Sequence, residues 1–414
     1  MKADPLYPRF VEAALADAIQ DTPVVLIHGP RQCGKTTLAQ MFGKANSYAY
    51  FSFDDDVVAA AARVDPAGFV ADLPLKTILD EVQHVPEVFS ALKLSVDRDR
   101  APGRCILTGS ANALLVPQLA DSLAGRMEII RLHPLAQCEI SGEPPGFVDT
   151  LFGSGFPTST HDRLGRELLT RIATGGYPAA IARSTPRRQT AWYRNYIRTL
   201  IQRDVQDLAR IRNLDALPRL LELVAGQTTR LRNIADLSGP FQLSRPTIQD
   251  YVTLLEAIFL IDTLPPWHSN RLKRLVKSPK IHVGDTGVAC ALLGITNQSL
   301  AEDRGGLGHL LETFVFQELR RQASWHSAEI RFHHFRDRDG CKVDIVLEQP
   351  GQRIAGIEVK ASATVKDRDF RGLRKLKSAA GESFRSGVVL YDGETSAAFG
   401  NDLSAVPIRR LWES

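Results

Sequence analysis

A glycine-rich phosphate-binding motif near the start of the chain constrains the fold more than any other feature of the sequence. Residues 29–37 read Gly-Pro-Arg-Gln-Cys-Gly-Lys-Thr-Thr and follow an apolar run at residues 24–27, with only His28 between them. A strand, a glycine-rich turn and the start of a helix, in this order, direct backbone N–H groups and the positive end of the helix dipole at one place. The motif therefore predicts an α/β fold with a parallel sheet that binds a nucleoside triphosphate.

The loop residues have distinct expected roles. Gly29 and Gly34 permit backbone angles and close approaches that a Cβ would block. We expect Lys35 to reach the β- and γ-phosphates and the hydroxyl of Thr36 to bind Mg²⁺. The predicted nucleotide-binding residues are Gly29, Pro30, Arg31, Gln32, Cys33, Gly34, Lys35, Thr36 and Thr37.

A pair of carboxylates follows a second short strand, in the sequence Thr-Ile-Leu-Asp-Glu at residues 77–81. Such residues lie at the carboxyl edge of a parallel sheet, where ligands bind in these folds. We expect Asp80 to bind the hydration shell of Mg²⁺ and Glu81 to polarise the attacking water. An Asp-Glu pair alone would be read as a solvated strand end, but the preceding phosphate loop favours the functional interpretation.

Two later segments carry candidate residues with open alternatives. The third strand, residues 105–108, leads to Ser110 and Asn112, which could sense the γ-phosphate or the water. Ser110 could equally be a helix cap. Arg126 stands at the head of a strand at the rim of the sheet, where it could act as an arginine finger for a neighbouring subunit's nucleotide. That role would require a homo-oligomer, whereas an ordinary rim arginine would not.

The motifs together resemble a family of prokaryotic AAA-type ATPases in which a C-terminal domain of unknown function follows the ATPase domain. The resemblance implies ATP binding and hydrolysis, with ATP and Mg²⁺ as ligands. The segments that carry it are Tyr7-Pro8-Arg9, the loop with its Arg31-Gln32 insert, Phe53-Asp54-Asp55, Leu79-Asp80-Glu81, Leu107-Thr108-Gly109-Ser110 and Leu123-Ala124-Gly125-Arg126.

Length, composition and charge bound the remaining possibilities. A chain of 414 residues predicts about three domains. We find no signal-peptide pattern and no run approaching the ~20 apolar residues of a membrane span, which predicts a cytoplasmic protein without membrane contact. The five cysteines form neither a disulfide framework nor a metal-binding pattern. Because the net charge is only +4, contact with DNA or RNA would depend on local basic patches.

Breaks in the pattern divide the chain into four segments, and the third has the pattern of a winged helix. Helices are predicted at residues 217–225, from residue 233 and at 247–256, followed by a wing strand at 259–264 and a basic hairpin at 271–277. A recognition helix here would be polar but barely basic, so DNA reading and a packing role both stay open. The predicted segments are the ATPase domain (1–142), a linker and helical segment (143–212), a winged-helix-like domain with the basic hairpin (213–300) and an α/β domain (301–414).

The C-terminal segment contains a second group of chemically suggestive residues. A helix at 308–319, strands at 331–335 and 343–347, a strand at 357–360 and a basic helix at 367–377 are predicted. Glu358 and Lys360 lie on the same face of their strand because side chains alternate. Together with Asp344 they could bind a divalent metal and a phosphate.

This order resembles the core of the restriction-endonuclease-like superfamily, and the resemblance implies a role for Glu312 as the helix glutamate. The chain departs from the pattern where Val343-Asp344 replaces a Pro-Asp. Fold does not establish activity. Two alternatives therefore stay open. The C-terminal domain could cleave nucleic acid with a metal ion. Alternatively, the protein could be a nucleotide-driven switch whose C-terminal domain is catalytically inert and binds a protein partner.

Overall fold

The first apolar run, residues 24–27, lies inside the N-terminal sheet, and its side chains are buried on both faces of that sheet. Val24 and Leu26 pack into the core on one side of the sheet, and Val25 and Ile27 pack into the core on the other. Such two-sided burial is typical of a parallel sheet covered by helices. The protein is represented by a computed structural model, which describes residues 6–110, 123–208, 215–274, 277–337 and 339–413.

The N-terminal sheet contains five strands in the order β2-β3-β4-β1-β5, and all neighbouring pairs are parallel. Its strands are β1 (Val24–His28), β2 (Ala49–Ser52), β3 (Thr77–Asp80), β4 (Cys105–Gly109) and β5 (Met127–Arg131). Its helices are α1 (Val11–Ala18), α2 (Lys35–Asn46), α3 (Asp56–Val64), α4 (Pro66–Ala71) and α5 (Val88–Arg98). The carboxyl ends of β1, β4 and β3 therefore meet at one edge, which confirms the predicted parallel α/β sheet.

The middle of the chain is mainly helical and includes one short hairpin. Its elements are α6 (Gln137–Ser141), α7 (Phe147–Phe152), β6 (Ser159–Thr160), α8 (Arg166–Thr174), α9 (Pro178–Ile181), α10 (Pro186–Leu208), α11 (Ala216–Gly226), α12 (Ile234–Ser238), α13 (Arg245–Ala257), β7 (Ile261–Leu264), β8 (Lys280–Val283), α14 (Thr286–Leu293) and α15 (Asn297–Glu302). Helices α11 to α13 followed by the antiparallel β7–β8 pair have the order predicted for a winged helix. In the stretch predicted as a basic hairpin, the described residues Arg271–Arg274 form a 3-10 turn between β7 and β8.

The C-terminal part is built on a seven-stranded sheet in the order β6-β13-β14-β12-β11-β10-β9. Its elements are α16 (Arg304–Ala323), β9 (Arg331–Arg336), β10 (Lys342–Gln349), β11 (Arg353–Lys360), α17 (Arg371–Ala380), β12 (Phe384–Tyr391), β13 (Thr395–Ala398) and β14 (Leu403–Pro407). The remaining short 3-10 segments are Val82–His84, Gly239–Phe241, Pro350–Gln352, Asp367–Phe370, Gly381–Ser383 and Ile408–Leu411.

Part of the predicted linker belongs to this C-terminal sheet. Strand β6 pairs antiparallel with β13, and the Arg163 side chain forms an ion pair with Asp392 at 2.9 Å. One continuous apolar core then runs from Ala136 to Trp412 through the middle and C-terminal elements. Among the described residues, no helix has both the length and the apolar character that crossing a bilayer requires.

Candidate functional site

Strand β1 and helix α2 position the phosphate loop between them. Gly29 lies so close to the next strand that an added Cβ would overlap the carbonyl oxygen of Leu132. Gly34 caps α2 with a φ of 102°, in the left-handed region that favours glycine. The first residue of α2 is Lys35, so the helix N-terminus and the lysine both face the loop.

The loop borders a cavity large enough for a nucleotide. The Lys35 ammonium is buried and donates hydrogen bonds to the carbonyl oxygens of Gly29 at 3.1 Å and Pro30 at 3.0 Å. The cavity has a volume of about 640 Å³, within the range usual for ligand pockets. Its walls include Glu81 and, from helix α10 outside the ATPase segment, Trp192.

Hydroxyl groups converge on Asp80 at the carboxyl end of β3. Thr36 Oγ1 lies 3.0 Å from Asp80 Oδ1 and 3.1 Å from Oδ2. The Tyr50 hydroxyl donates to Oδ2 at 2.7 Å, and Thr108 donates to Oδ1. Burial, together with its hydrogen bond to Asp80, raises the pKa of Tyr50 to about 12, so the phenol remains a donor.

This donor set fits the Mg²⁺ ion that the motif implies. Oxygen ligands from one carboxylate and one hydroxyl, completed by phosphates and water, are typical of Mg²⁺ in phosphoryl-transfer sites. Thr36 and Asp80 would supply these ligands. Neither Tyr50 nor Thr108 has a role that its local sequence predicts, although Thr108 lies two residues before Ser110.

Glu81 adopts an uncommon backbone conformation beside this carboxylate. Its φ of 55° is left-handed, which is rare for residues other than glycine and is frequent at functional sites. The Glu81 backbone N–H donates to Thr108 Oγ1 at 3.1 Å, and the Gln83 side-chain amide donates to the Glu81 carboxylate. The side chain lines the cavity together with Lys35 and Thr36.

Of the three remaining candidates in the ATPase segment, Ser110 and Arg126 do not line the cavity. Ser110 is fully buried, and its Oγ has no hydrogen-bond partner among the described residues. Arg126 turns towards helix α5, where its Nε lies 2.6 Å from Asp97 Oδ1. Asn112 lies outside the described residues. The sensor and finger roles therefore stay predictions.

Arg9 connects the phosphate loop to helix α6. Its guanidinium donates to the carbonyl oxygens of Cys33 and His133, both at 2.7 Å, and its Nε pairs with Glu139 Oε1 at 2.9 Å. The Glu139 side chain is fully buried, so the pair is shielded from solvent. The sequence analysis quoted Arg9 only as part of the family resemblance.

A buried group of charges continues from α6 to helix α16. Arg321 pairs with Glu318 at 2.6 Å and Asp285 at 3.0 Å, and it donates to the Leu135 carbonyl at 2.8 Å. The Glu318 carboxylate also accepts the Gln137 backbone N–H of α6 at 2.8 Å. The loop is thus connected through Arg9 and α6 to the first helix of the C-terminal part.

Helix α10 makes a second connection to the loop. The Tyr196 hydroxyl donates to the Arg31 carbonyl at 3.1 Å, and the Tyr196 ring stacks on Trp192 with centroids 5.0 Å apart. Tyr177, from the turn after α8, packs against Tyr196 at 4.9 Å. Trp192 and Tyr196, which lie beyond the ATPase segment, therefore form part of the cavity wall.

The C-terminal candidates Glu312, Asp344, Glu358 and Lys360 lie close together, and each of the three carboxyl groups has a lysine ammonium within ion-pair distance. Lys280 lies 2.6 Å from Glu312 and 3.4 Å from Asp344. Lys360 pairs with Glu358 at 3.0 Å. Two further donors serve Asp344: the Lys342 ammonium at 3.0 Å and the Val359 backbone N–H at 3.1 Å.

Burial shifts the titration of these carboxyl groups. Burial and the neighbouring Asp344 raise the pKa of Glu312 to about 8 and that of Glu358 to about 7. Burial alone would raise the pKa of Asp344 too, but Lys280 and Lys342 lower it below its usual value. Of the three carboxyl groups, Asp344 is therefore the one most fully ionised near neutral pH.

The predicted metal-binding pair, Asp344 and Glu358, stays a prediction. Across the described parts of the chain, no group of three His, Cys, Asp or Glu side chains could bind a metal ion. Lys280 lies within ion-pair distance of both Glu312 and Asp344. Sequence reasoning missed Lys280 because it comes from β8 in the middle of the chain, 64 residues before Asp344.

Comparison with known proteins supports the ATPase interpretation of the N-terminal part. Residues 21–141 match a family described as an AAA domain. Residues 165–299 and 307–411 each match a domain of unknown function. The AAA match supports a P-loop ATPase of the AAA type and indicates nucleotide binding and hydrolysis. The other matches do not test the winged-helix and nuclease-like interpretations, which stay predictions.

Three similar proteins are each described as uncharacterised. One from Mycobacterium tuberculosis and one from Mycobacterium bovis are each 29% identical over 404 residues, covering 97% of this chain and 84% of the relative. One from Haemophilus influenzae is 24% identical over 254 residues, covering 59% of this chain and 57% of the relative.

Similar solved structures include a Walker-type ATPase of Pyrococcus abyssi, with 16% identity over 69% of this chain and 96% of that chain, at a TM-score of 0.44. The RuvB Holliday junction branch migration motor of Thermotoga maritima has 16% identity over 62% of this chain and 89% of that chain, at a TM-score of 0.27. Because both TM-scores are low, the interpretation rests on the AAA-domain match and on the geometry of the site.

Proposed function

We propose that this protein is a Mg²⁺-dependent ATPase whose nucleotide site is the cavity at the phosphate loop. One observation carries the proposal: Thr36 and Asp80 meet at 3.0 Å beside the buried Lys35, and Glu81 lines the same cavity. A lysine, a hydroxyl–carboxylate pair and a second carboxylate are the groups that phosphoryl transfer to water requires.

Each group has a defined task in this proposal. The Lys35 ammonium, which now donates to loop carbonyls, turns to the β- and γ-phosphates when ATP binds. Thr36 and Asp80 bind Mg²⁺, which neutralises charge on the phosphates when it is bound. Glu81, which lines the cavity, orients the attacking water.

Phosphate release measured with Mg²⁺ and with EDTA tests this proposal. We expect Mg²⁺-dependent turnover in the wild type and loss of turnover in Lys35→Ala. Lys44→Ala is a matched control because Lys44 lies on the same helix and is exposed. Equal turnover in the wild type and Lys35→Ala would contradict the assignment of the site.

The second part of the proposal is that nucleotide state is coupled to a C-terminal module that contacts nucleic acid. A cleft of about 190 Å³ beside Glu358 is lined by basic side chains, together with Asp339 and Asp369. Phosphate backbones bind such basic surfaces through charge. The basic residues of the cleft are Lys342, Lys360, Arg368 and Arg371.

A different role for the C-terminal part is favoured by the buried contacts between the loop and α16. Through Arg9, Glu139 and Glu318, a change at the loop can reach α16 without any nucleic acid. In that case the protein would be a nucleotide-driven switch that binds a protein partner. We do not extend the proposal to nucleolytic cleavage, because lysines occupy the carboxylates that would bind the metal.

Turnover measured with and without single- and double-stranded DNA and RNA separates these two roles. The nucleic-acid role predicts stimulation that falls steeply with salt, as expected for contacts to phosphates. Arg368→Glu, which reverses an exposed charge of the cleft, should abolish the stimulation without changing basal turnover. Turnover that responds to none of these nucleic acids would favour the protein-partner switch.

Oligomerisation is a separate proposal that depends on Arg126. Its ion pair with Asp97 is on the surface, with side chains 22% and 33% exposed, so releasing Arg126 would cost little. A free Arg126 at the rim could then serve the nucleotide of a neighbouring subunit.

A further inference from the structure

In the carboxylate cluster of the C-terminal part, each acidic side chain lies beside a lysine. Its members are Glu312, Asp344 and Glu358 as acids, and Lys280, Lys342 and Lys360 as bases. Each acid is within ion-pair distance of at least one ammonium group. Carboxylates that are already paired leave little net negative charge to attract a divalent cation into a buried site.

Lys280 occupies a position that a metal ion would need. Its ammonium lies 2.6 Å from Glu312 Oε1 on α16 and 3.4 Å from Asp344 Oδ1 on β10, so it bridges the same two carboxylates that a shared metal would bridge. It also donates to the Asp344 backbone carbonyl at 3.5 Å. A cation placed between Glu312 and Asp344 would have to displace it.

The backbone of Lys280 is fixed, so displacement would be costly. Lys280 is the first residue of β8, where it pairs with Leu264 of β7 and also forms a bridge with Leu231. The side chain is 9% exposed, and moving its ammonium group away would leave a buried charge without compensation. The lysine is therefore a built part of the site rather than a surface side chain that happens to lie near it.

We propose that the carboxylate cluster is a metal-free ion-pair site in which the Lys280 ammonium takes the place of a divalent cation. The cluster joins β8 of the middle segment to α16 and β10 of the C-terminal part. Its ion pairs hold two segments of the chain together, and it is not a hydrolytic centre. This inference is independent of ATP hydrolysis at the phosphate loop.

Mn²⁺ titration of the full-length protein, followed by the electron paramagnetic resonance signal of free Mn²⁺, tests the proposal. The protein carries Asp80→Asn to remove the ligand at the phosphate loop, and nucleotide is omitted. We expect no stoichiometric Mn²⁺ binding that depends on the cluster. Stoichiometric Mn²⁺ binding that disappears when Asp344→Asn is added would overturn the proposal. Mn²⁺ binding that persists with Asp344→Asn takes place outside the cluster and agrees with the proposal.

A gain-of-binding variant tests the role of Lys280 itself. Lys280→Met removes the ammonium and keeps much of the side-chain volume, so we expect a new Mn²⁺ site that Asp344→Asn abolishes. Lys277→Met is the matched control because Lys277 is exposed and lies three residues away. A folded Lys280→Met protein that gains no Mn²⁺ would overturn the claim that Lys280 replaces the cation. If this variant does not fold, the titration of the parent protein decides.

Discussion

Replacing Arg321 with Met should destabilise the shared core of the middle and C-terminal parts. The destabilisation should be larger than that caused by the same substitution at an exposed arginine. The Arg321 side chain is 3% exposed, and its partners Glu318 and Asp285 are 0% and 1% exposed. Met replaces the apolar stem of the arginine but lacks the guanidinium group, so two buried carboxylates are left unpaired. Breaking a buried ion pair by removing one partner costs about 3–5 kcal/mol.

This loss is a large part of the 5–15 kcal/mol of stability that is roughly typical of a folded protein. At about 2–4 °C per kcal/mol for a large folding unit, it corresponds to a fall in Tm of roughly 6–20 °C. Differential scanning calorimetry should show this fall in the transition of the core that runs from Ala136 to Trp412.

Two variants make the reasoning refutable. Arg331→Met removes an arginine whose ion pair with Glu329 is exposed, and it should leave the transition in place. Adding Glu318→Gln and Asp285→Asn to Arg321→Met replaces the two unpaired carboxylates with neutral amides. The triple variant should therefore have a higher Tm than Arg321→Met alone. If Arg321→Met melts at the same temperature as Arg331→Met, the buried charges do not have the energetic role assigned to them.

Further expectations concern the metal site, acid stability and assembly. Tyr50→Phe removes the hydroxyl that donates to Asp80, so the Mg²⁺ concentration for half-maximal turnover should rise several-fold while Mg²⁺-free nucleotide binding stays constant; an unchanged Mg²⁺ dependence would show that Tyr50 does not position Asp80. Burial would raise the pKa of Asp262, but Arg320 and Arg131 hold it well below the usual value, so its stabilising contribution is present at neutral pH and is lost as the pH falls below about 4. Denaturation curves between neutral and acid pH should therefore be less pH-dependent in Asp262→Asn, and equal pH dependence in both proteins would contradict this. If Arg126 acts between subunits, mixing inactive Arg126→Ala with inactive Lys35→Ala should recover turnover, and full activity in a strictly monomeric protein would exclude the finger.

The groups around the phosphate loop could be predicted because short stretches of sequence fix them. Two of these groups, Lys35 and Thr36, lie at the start of α2, and the other two, Asp80 and Glu81, lie at the end of β3. Both elements can be predicted from the residues within a short stretch of sequence. A parallel sheet then brings the strand ends together without further information. Tyr50 escaped prediction because its hydroxyl reaches Asp80 only through the pairing of β2 with β3.

The C-terminal cluster could be predicted only in part for a related reason. Strand alternation placed Glu358 and Lys360 on one face, and the structure brings Asp344 beside them. Lys280 comes from a different segment, and no local pattern reveals that a lysine will be buried between two acids. Likewise, the short strand β6 gives no alternation signal, so its addition to the C-terminal sheet depends on tertiary pairing.

The central claim, ATP hydrolysis at the phosphate loop, is tested most directly by comparing nucleotide binding and turnover in Glu81→Gln. The substitution preserves the shape of the side chain but removes the carboxylate that orients water. The protein should therefore keep its affinity for ATP and lose roughly 10²-fold or more in turnover. Fluorescent-nucleotide titration and single-turnover phosphate release on the same sample measure both quantities. Tight ATP binding with trapped, unhydrolysed nucleotide is the predicted result, and wild-type turnover in Glu81→Gln would contradict the account.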